Sequence, residues 1–278
     1  MTAATLPDVL APAVAQGYAI AGLVVLGWED AVAYAEAAEE TGIPIILQAG
    51  PGCRKHTPVP VLGKMFRHLA DQASLPVVCH IDHATTIEEC REGIDSGFTS
   101  VMFDGSGLPI AENVETTATI VEFARPAGIS VEGEVGFVGY AAGAESVVTS
   151  TEDAARFNRD SGADAMAVSV GNVHLQTEPG DGINMDALRA IEAVTTLPLV
   201  LHGGSGIPAA TRNLLAQRSR VAKFNIGTEL RAVFGAALRR SIADQPDVFD
   251  RITLLKPVIP EIRAAAANVI RALRYPTN

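Results

Sequence analysis

The sequence predicts an α/β protein: one closed (β/α)8 barrel, the TIM-barrel architecture, with a C-terminal helical extension. Three observations carry this prediction. Eight short apolar runs recur along the 278 residues. Helix-like stretches fall between most of them, and no break in composition divides the chain, so residues 1–278 read as one domain. Acidic and metal-type residues gather where the runs end, the C-terminal strand ends at which barrels carry out their chemistry. A doubly wound sheet is the structural alternative, but it does not normally spread such residues over five or six strand ends.

The runs are AIAGLVVL (19–26), PIILQAG (44–50), PVVCHIDH (76–83), SVMFDG (100–105), SVEGEVG (130–136), AMAVSV (165–170), PLVLHGG (198–204) and VAKFNIG (221–227). Each is short and rich in valine or isoleucine, and several open at turns such as TGIP, ASLP and TTLP. WEDAVAYAEAAEET follows the first run as a helix and TIEECREGIDS follows the third. STEDAARFNRDS opens with Ser150 or Thr151 ahead of acids, which suits an N-cap. NMDALRAIEAV, PAATRNLLAQR and TELRAVFGAALRRSI complete the crossovers, and PEIRAAAANVIRAL is a helix in the tail. The stretch 137–150 lacks periodicity and follows strand five on the catalytic side, the place of a mobile lid.

Composition excludes several classes. Hydrophobic residues make up 48% and charged residues 19%, which is globular. The net charge of −11 argues against nucleic acid as a partner, and no basic patch suits a membrane surface. No apolar run is long enough to span a bilayer, and the N-terminus does not read as a signal peptide. Cys53, Cys79 and Cys90 are odd in number and lack CxxC spacing, which favours a reducing cytoplasm.

The chemistry is concentrated in three of the six histidines. His83, His174 and His202 each sit at or just beyond the C-terminal end of a strand run, an arrangement that suits one zinc ion with a coordination position left open. Asp82 beside His83 suits a proton carrier next to a Lewis acid, although simple alternation points the two to opposite faces. Glu132 and Glu134, two apart on strand five, share a face and need pairing, hydration or a metal. GGSG (203–206) and NIGT (225–228) each precede a helix on the two strands where barrel phosphate sites recur. His56 and His68 read as surface or packing residues.

Together, HIDH, GFTSVMFDGS, VEGEVG, GNVH, LHGGSG and FNIGTEL resemble the zinc-dependent class II fructose-bisphosphate and tagatose-bisphosphate aldolases, in order over about residues 10–260. The resemblance implies a barrel enzyme, a homodimer or homotetramer, that cleaves a ketose phosphate to dihydroxyacetone phosphate and an aldehyde. It implies His83, His174 and His202 as zinc ligands with Glu134 as a further contact, one divalent metal per subunit, with other transition metals able to suit three histidines. Asp82 corresponds to the aspartate that moves the C4 hydroxyl proton. Gly203, Ser205 and Thr228 correspond to phosphate contacts, Asn225 to a contact on the ketone portion, and Arg251 loosely to a distal-phosphate arginine.

The departures from the family lie around the substrate. Val24 stands where the family has asparagine, Gly50 where it has serine, Leu175 where it has glycine, Glu178 where it has lysine, and Gly227, among the substrate contacts, where it has aspartate. The acids usual after VEGEVG are missing, which leaves Glu145 as the loop acid available for proton transfer. The reading is a metal-dependent aldolase on a sugar phosphate other than fructose 1,6-bisphosphate. The alternatives are an isomerase or epimerase on the same metal, and an inactive barrel serving as a binding subunit.

Overall fold

The structure is a computed structural model that describes residues 2–139, 146–175 and 182–275. A two-residue strand β1 (Ala3–Ala4) is followed by β2 (Ile20–Val24), β3 (Ile45–Ala49), β4 (Val77–Ala84), β5 (Ser100–Phe103), β6 (Ser130–Val135), β7 (Ala165–Val168), β8 (Leu199–Leu201) and β9 (Val221–Ile226). Strands β2 to β9 pair in sequence order, all parallel, and β9 pairs back onto β2. The eight apolar runs are therefore the staves of a closed barrel. Parallel strands covered on both faces explain why the runs read as continuous valine and isoleucine rather than as alternation.

The helices are α1 (Leu6–Gln16), α2 (Trp28–Thr41), α3 (Pro51–His56), α4 (Val59–Gln72), α5 (Ile87–Asp95), α6 (Ile110–Ala124), α7 (Thr151–Asp160), α8 (Met185–Glu192), α9 (Ala209–Arg218), α10 (Thr228–Asp244), α11 (Arg251–Leu255) and α12 (Val258–Arg274). Ser150 is the cap of α7, its Oγ accepting from the Asp153 N–H at 3.1 Å. The C-terminal extension, α12, packs along α2 and α10 and covers the β2 side of the barrel.

Five helices, α1, α3, α4, α6 and α11, go beyond those expected from the sequence. α6 is rich in threonine and valine, whose branched side chains disfavour helix; burial of Val114, Thr117, Ile120 and Val121 outweighs that. α4 carries Pro60 in its first turn, where proline is tolerated, and Gly63, whose Cβ would stand 2.2 Å from the Ser96 carbonyl oxygen. α1 plugs the N-terminal end of the barrel. Its Leu6, Val9, Leu10 and Ala13 meet Ile20, Ile46, Val78, Ala165, Val200 and Ala222 there. The floor is thus largely apolar, with Ser130 Oγ accepting from the Leu6 N–H at 2.9 Å, and the charged side chains of the interior stand above it.

Candidate active site

At the end of β4 the chain resolves the conflict between Asp82 and His83 with a bulge. Ile81 to Ala84 on β4 oppose Val101 to Phe103 on β5, one residue extra, and His83 adopts φ +53°. A bulge bends its strand and re-aims side chains, so both residues reach the same mouth. His83, His174 and His202 converge, with ring centroids 5.2, 4.6 and 5.5 Å apart. One nitrogen from each lies within 4.8 Å of the others.

Asp104, just beyond β5, lies 2.7 Å from His83 Nδ1 and also accepts from the Ser106 hydroxyl at 2.6 Å. With Nδ1–H given to Asp104, Nε2 is the nitrogen that His83 keeps for a metal. Glu134 Oε2 lies 3.6 Å from His83 Nδ1 and 3.5 Å from His202 Nδ1. Among the described residues, neither Glu134 Oε2 nor His202 Nδ1 has a hydrogen-bond partner, although both are buried. Buried polar atoms are rarely left unbonded, and a lone pair facing a carboxylate oxygen is a cation's environment. The donor set therefore fits a divalent metal.

The electrostatics agree. Burial lowers the His83 imidazole, but Asp82, Asp104 and Glu134 outweigh it and raise it to about 10. Burial and the neighbouring His83 lower His174 to about 4. Burial raises Glu134 to about 8, against the pull of His83. The negative potential that holds a proton on His83 would equally hold a cation. Burial also raises the Asp82 carboxyl, but His83, His202 and Lys223 outweigh it, so Asp82 is ionised and able to accept a proton.

Above the histidines lies a cavity of about 270 Å³ lined by Asp82, His83, His174, Gly203, Ser205, Asn225, Gly227 and Thr228. His202 and Glu134 lie buried beneath it. Asn225 Nδ2 donates to Asp82 Oδ1 at 3.2 Å. Ser205 Oγ accepts from the Gly227 and Glu229 N–H groups at 3.2 and 3.3 Å, which ties the GGSG turn to the start of α10 and leaves the hydroxyl proton to donate. Gly203 has φ +65°, and a Cβ there would stand 2.0 Å from the Val173 carbonyl oxygen, next to His174. Gly203→Ala is expected to lower stability by about 2 kcal/mol or more and to spread the histidines, checked by urea unfolding and metal titration.

The substituted positions shape the same wall. Val24, Gly50, Leu175 and Gly227 all line the cavity. A Cβ at Gly227 would stand 3.2 Å from Val24 Cγ2, so these two departures form one apolar contact. Leu175 is left-handed at φ +57° and half exposed, in the conformation for which glycine is the usual residue. A Cβ at Gly50 would face Asp82 Oδ2 at 3.5 Å.

Arg251 stands next to the cavity over the histidines rather than in its lining. It opens α11, beyond the end of α10, and lines a neighbouring cavity of about 200 Å³. Arg231, absent from the sequence reading, lines both cavities. Lies of the chain also put Asp104 and Lys223 at the site. Asp104 stands one residue before the end of the run SVMFDG, and Lys223 shares a strand face with Asn225 two residues on; both signals are present in the sequence. Glu145 and Glu178 fall outside the described residues. Of the stretch 137–150 read as a lid, residues 140–145 also lie outside them. The flanks of that loop are tied: Phe137 and Val147 pair, and the His174 N–H donates to the Gly139 carbonyl at 2.8 Å. His56 and His68 are exposed, as expected.

The family model for class-II fructose-bisphosphate aldolase matches residues 4–276. The chain belongs to that family. Among class II aldolases it is 34% identical to the 6-phospho-5-dehydro-2-deoxy-D-gluconate aldolase of Shouchella clausii, over 94% of this chain and 91% of the relative. It is 33% identical to a fructose-bisphosphate aldolase of Staphylococcus epidermidis, over 98% and 97% of the two chains. The crystal structure of the YdjI aldolase from Escherichia coli K12 superposes with a TM-score of 0.84 at 28% identity, covering 98% of this chain and 97% of that one. The chain is thus an aldehyde-lyase of the class II type.

Proposed function

We propose that this aldolase is zinc-dependent and cleaves a ketose phosphate other than fructose 1,6-bisphosphate into dihydroxyacetone phosphate and an aldehyde. The observation that carries this reading is an intact donor set beneath an altered wall. His83, His174, His202 and Glu134 would hold the metal, while Val24, Gly50, Leu175 and Gly227 replace polar or small positions of the family. Two relatives of nearly equal identity are named for different substrates, which supports a family whose pockets diverge around common chemistry.

A metal bound by these residues supplies polarisation of the ketone carbonyl and stabilises the negative charge left when the C3–C4 bond breaks. Asp82, with Oδ1 held by Asn225, takes the C4 hydroxyl proton in cleavage and returns it in condensation. The ketone-side phosphate sits against Gly203, Ser205 and Thr228, where the Ser205 hydroxyl donates and the start of α10 favours an anion. Glu145 remains the sequence candidate for the proton at C3.

Arg231 is one helical turn beyond Thr228, and among the described residues its guanidinium makes no hydrogen bond or ion pair. It suits an anionic group on the aldehyde half. Arg231→Met is expected to raise KM about tenfold with kcat nearly kept, in steady-state kinetics with an anionic aldehyde in the condensation direction. The substrate reading is tested with a panel of ketose mono- and bisphosphates, including 6-phospho-5-dehydro-2-deoxygluconate, scored by dihydroxyacetone phosphate or three-carbon aldehyde release. Fastest cleavage of fructose 1,6-bisphosphate would overturn it. No helix among the described residues is long and apolar enough to cross a membrane. A cytoplasmic homodimer or homotetramer is part of the same proposal.

A further inference from the structure

Below the metal site lies a second polar layer that the aldol reaction does not touch. Lys223, Glu132 and His80 are fully buried in the barrel interior, between the apolar floor and the histidines. Lys223 Nζ donates to Glu132 Oε2 at 2.7 Å and lies 3.4 Å from His80 Nε2. His80 Nδ1 lies 2.8 Å from Ser100 Oγ. Glu132 Oε1 lies 3.4 Å from His202 Nε2.

The directions of these bonds are fixed by chemistry. An ammonium group has only protons to give, so His80 Nε2 accepts from Lys223 and His80 carries its proton on Nδ1, toward Ser100. Glu132 is acceptor-only, so with one oxygen taken by Lys223 the other accepts from His202 Nε2–H. A neutral imidazole protonated at Nε2 keeps its lone pair on Nδ1, the buried atom without a partner beside Glu134. The other ring tautomer would place a lone pair against the Glu132 carboxylate and a proton in the metal position. The Asn172 Nδ2–H bond to the His202 carbonyl, at 3.1 Å, fixes the backbone of the same residue.

We propose that Lys223, Glu132 and His80 are positioning residues, a buried relay that sets His202 in the one tautomer able to bind the metal through Nδ1. The ion pair is needed because a lone Glu132 carboxylate in this layer would be an uncompensated buried charge; Lys223 donates to it at 2.7 Å and balances that charge, and His80 accepts from a second proton of Lys223. This inference rests on His202 being a metal ligand, and its test separates the two.

The test compares wild type with two double variants, Lys223→Met with Glu132→Met, and Lys223→Met with Glu132→Gln. Both remove the buried charges together, a change that apolar replacement tolerates well, and unfolding midpoints of the metal-stripped proteins establish that both fold. Zinc affinity is read by competition with a chromophoric chelator, and the ligand field by the visible absorption of the cobalt-substituted proteins. The Met–Met protein lacks an acceptor for His202 Nε2–H and is expected to bind zinc about 10–100-fold more weakly, with a changed cobalt spectrum. The Met–Gln protein restores a carbonyl acceptor and is expected to recover most of that loss. Equal affinity and spectra in both double variants overturn the relay, as does wild-type affinity in the Met–Met protein. A wild type that binds no zinc overturns the metal reading of the site, and the relay with it.

Discussion

Replacing Asp82 by asparagine is expected to lower kcat for cleavage by about 10²–10⁴ while the metal content stays at the wild-type level. The side chain keeps its size, and an amide in place of the carboxylate still reaches Asn225, which now donates to Asp82 Oδ1 at 3.2 Å. What is lost is the ability to take a proton at the end of β4. Coupled kinetics of aldehyde release and metal analysis by mass spectrometry measure the two quantities. Asp82 acts on the oxygen that becomes the aldehyde, whereas exchange of the dihydroxyacetone phosphate carbon-bound proton with deuterium requires only the metal and a base at that carbon. Asp82→Asn should therefore spare this exchange far more than cleavage. Equal loss of both would remove Asp82 from its assigned proton. The split also discriminates against an isomerase or epimerase that works through an enediolate, since on that route no C–C bond breaks and no C4 oxygen needs its proton moved.

The barrel was legible because its strands are buried on both faces, and such strands are apolar runs whatever their neighbours. The convergence of His83, His174 and His202 was legible for a related reason: closure of a parallel barrel brings every strand's C-terminal end to one mouth. The orientation of His83 beside Asp82 was not, because it depends on a bulge and a φ of +53°, neither of which has a local residue signature when the residue is histidine. Helix α6 was hidden because its threonines and valines favour strand locally and only packing reverses that. Lys223 was visible as a lysine inside an apolar run, yet its meaning depends on Glu132, 91 residues away in sequence and directly bonded in space. Arg231 was hidden by an ordinary amphipathic helix; its role follows only from where α10 begins over the cavity.

Replacing His174 by alanine is expected to abolish activity by about 10³-fold or more and to weaken zinc binding by over about 100-fold. His174 is the informative ligand to remove because it lies on a loop, half-buried, whereas His202 is fully buried against Glu132 and Glu134. Losing His202 would strand those carboxylates and confound a metal effect with a folding effect. Losing His174 removes one nitrogen from the donor set and leaves the Asp104–His83 contact, the Asn225–Asp82 contact and the Lys223–Glu132 pair in place. Zinc added back at high concentration should then recover part of the rate, because the remaining ligands still define the site and only affinity has fallen. Chelation of the wild type should give the same loss reversibly. A His174→Ala protein that keeps both its zinc affinity and its rate would place the metal, and with it the chemistry, away from the mouth of the barrel where the three histidines meet.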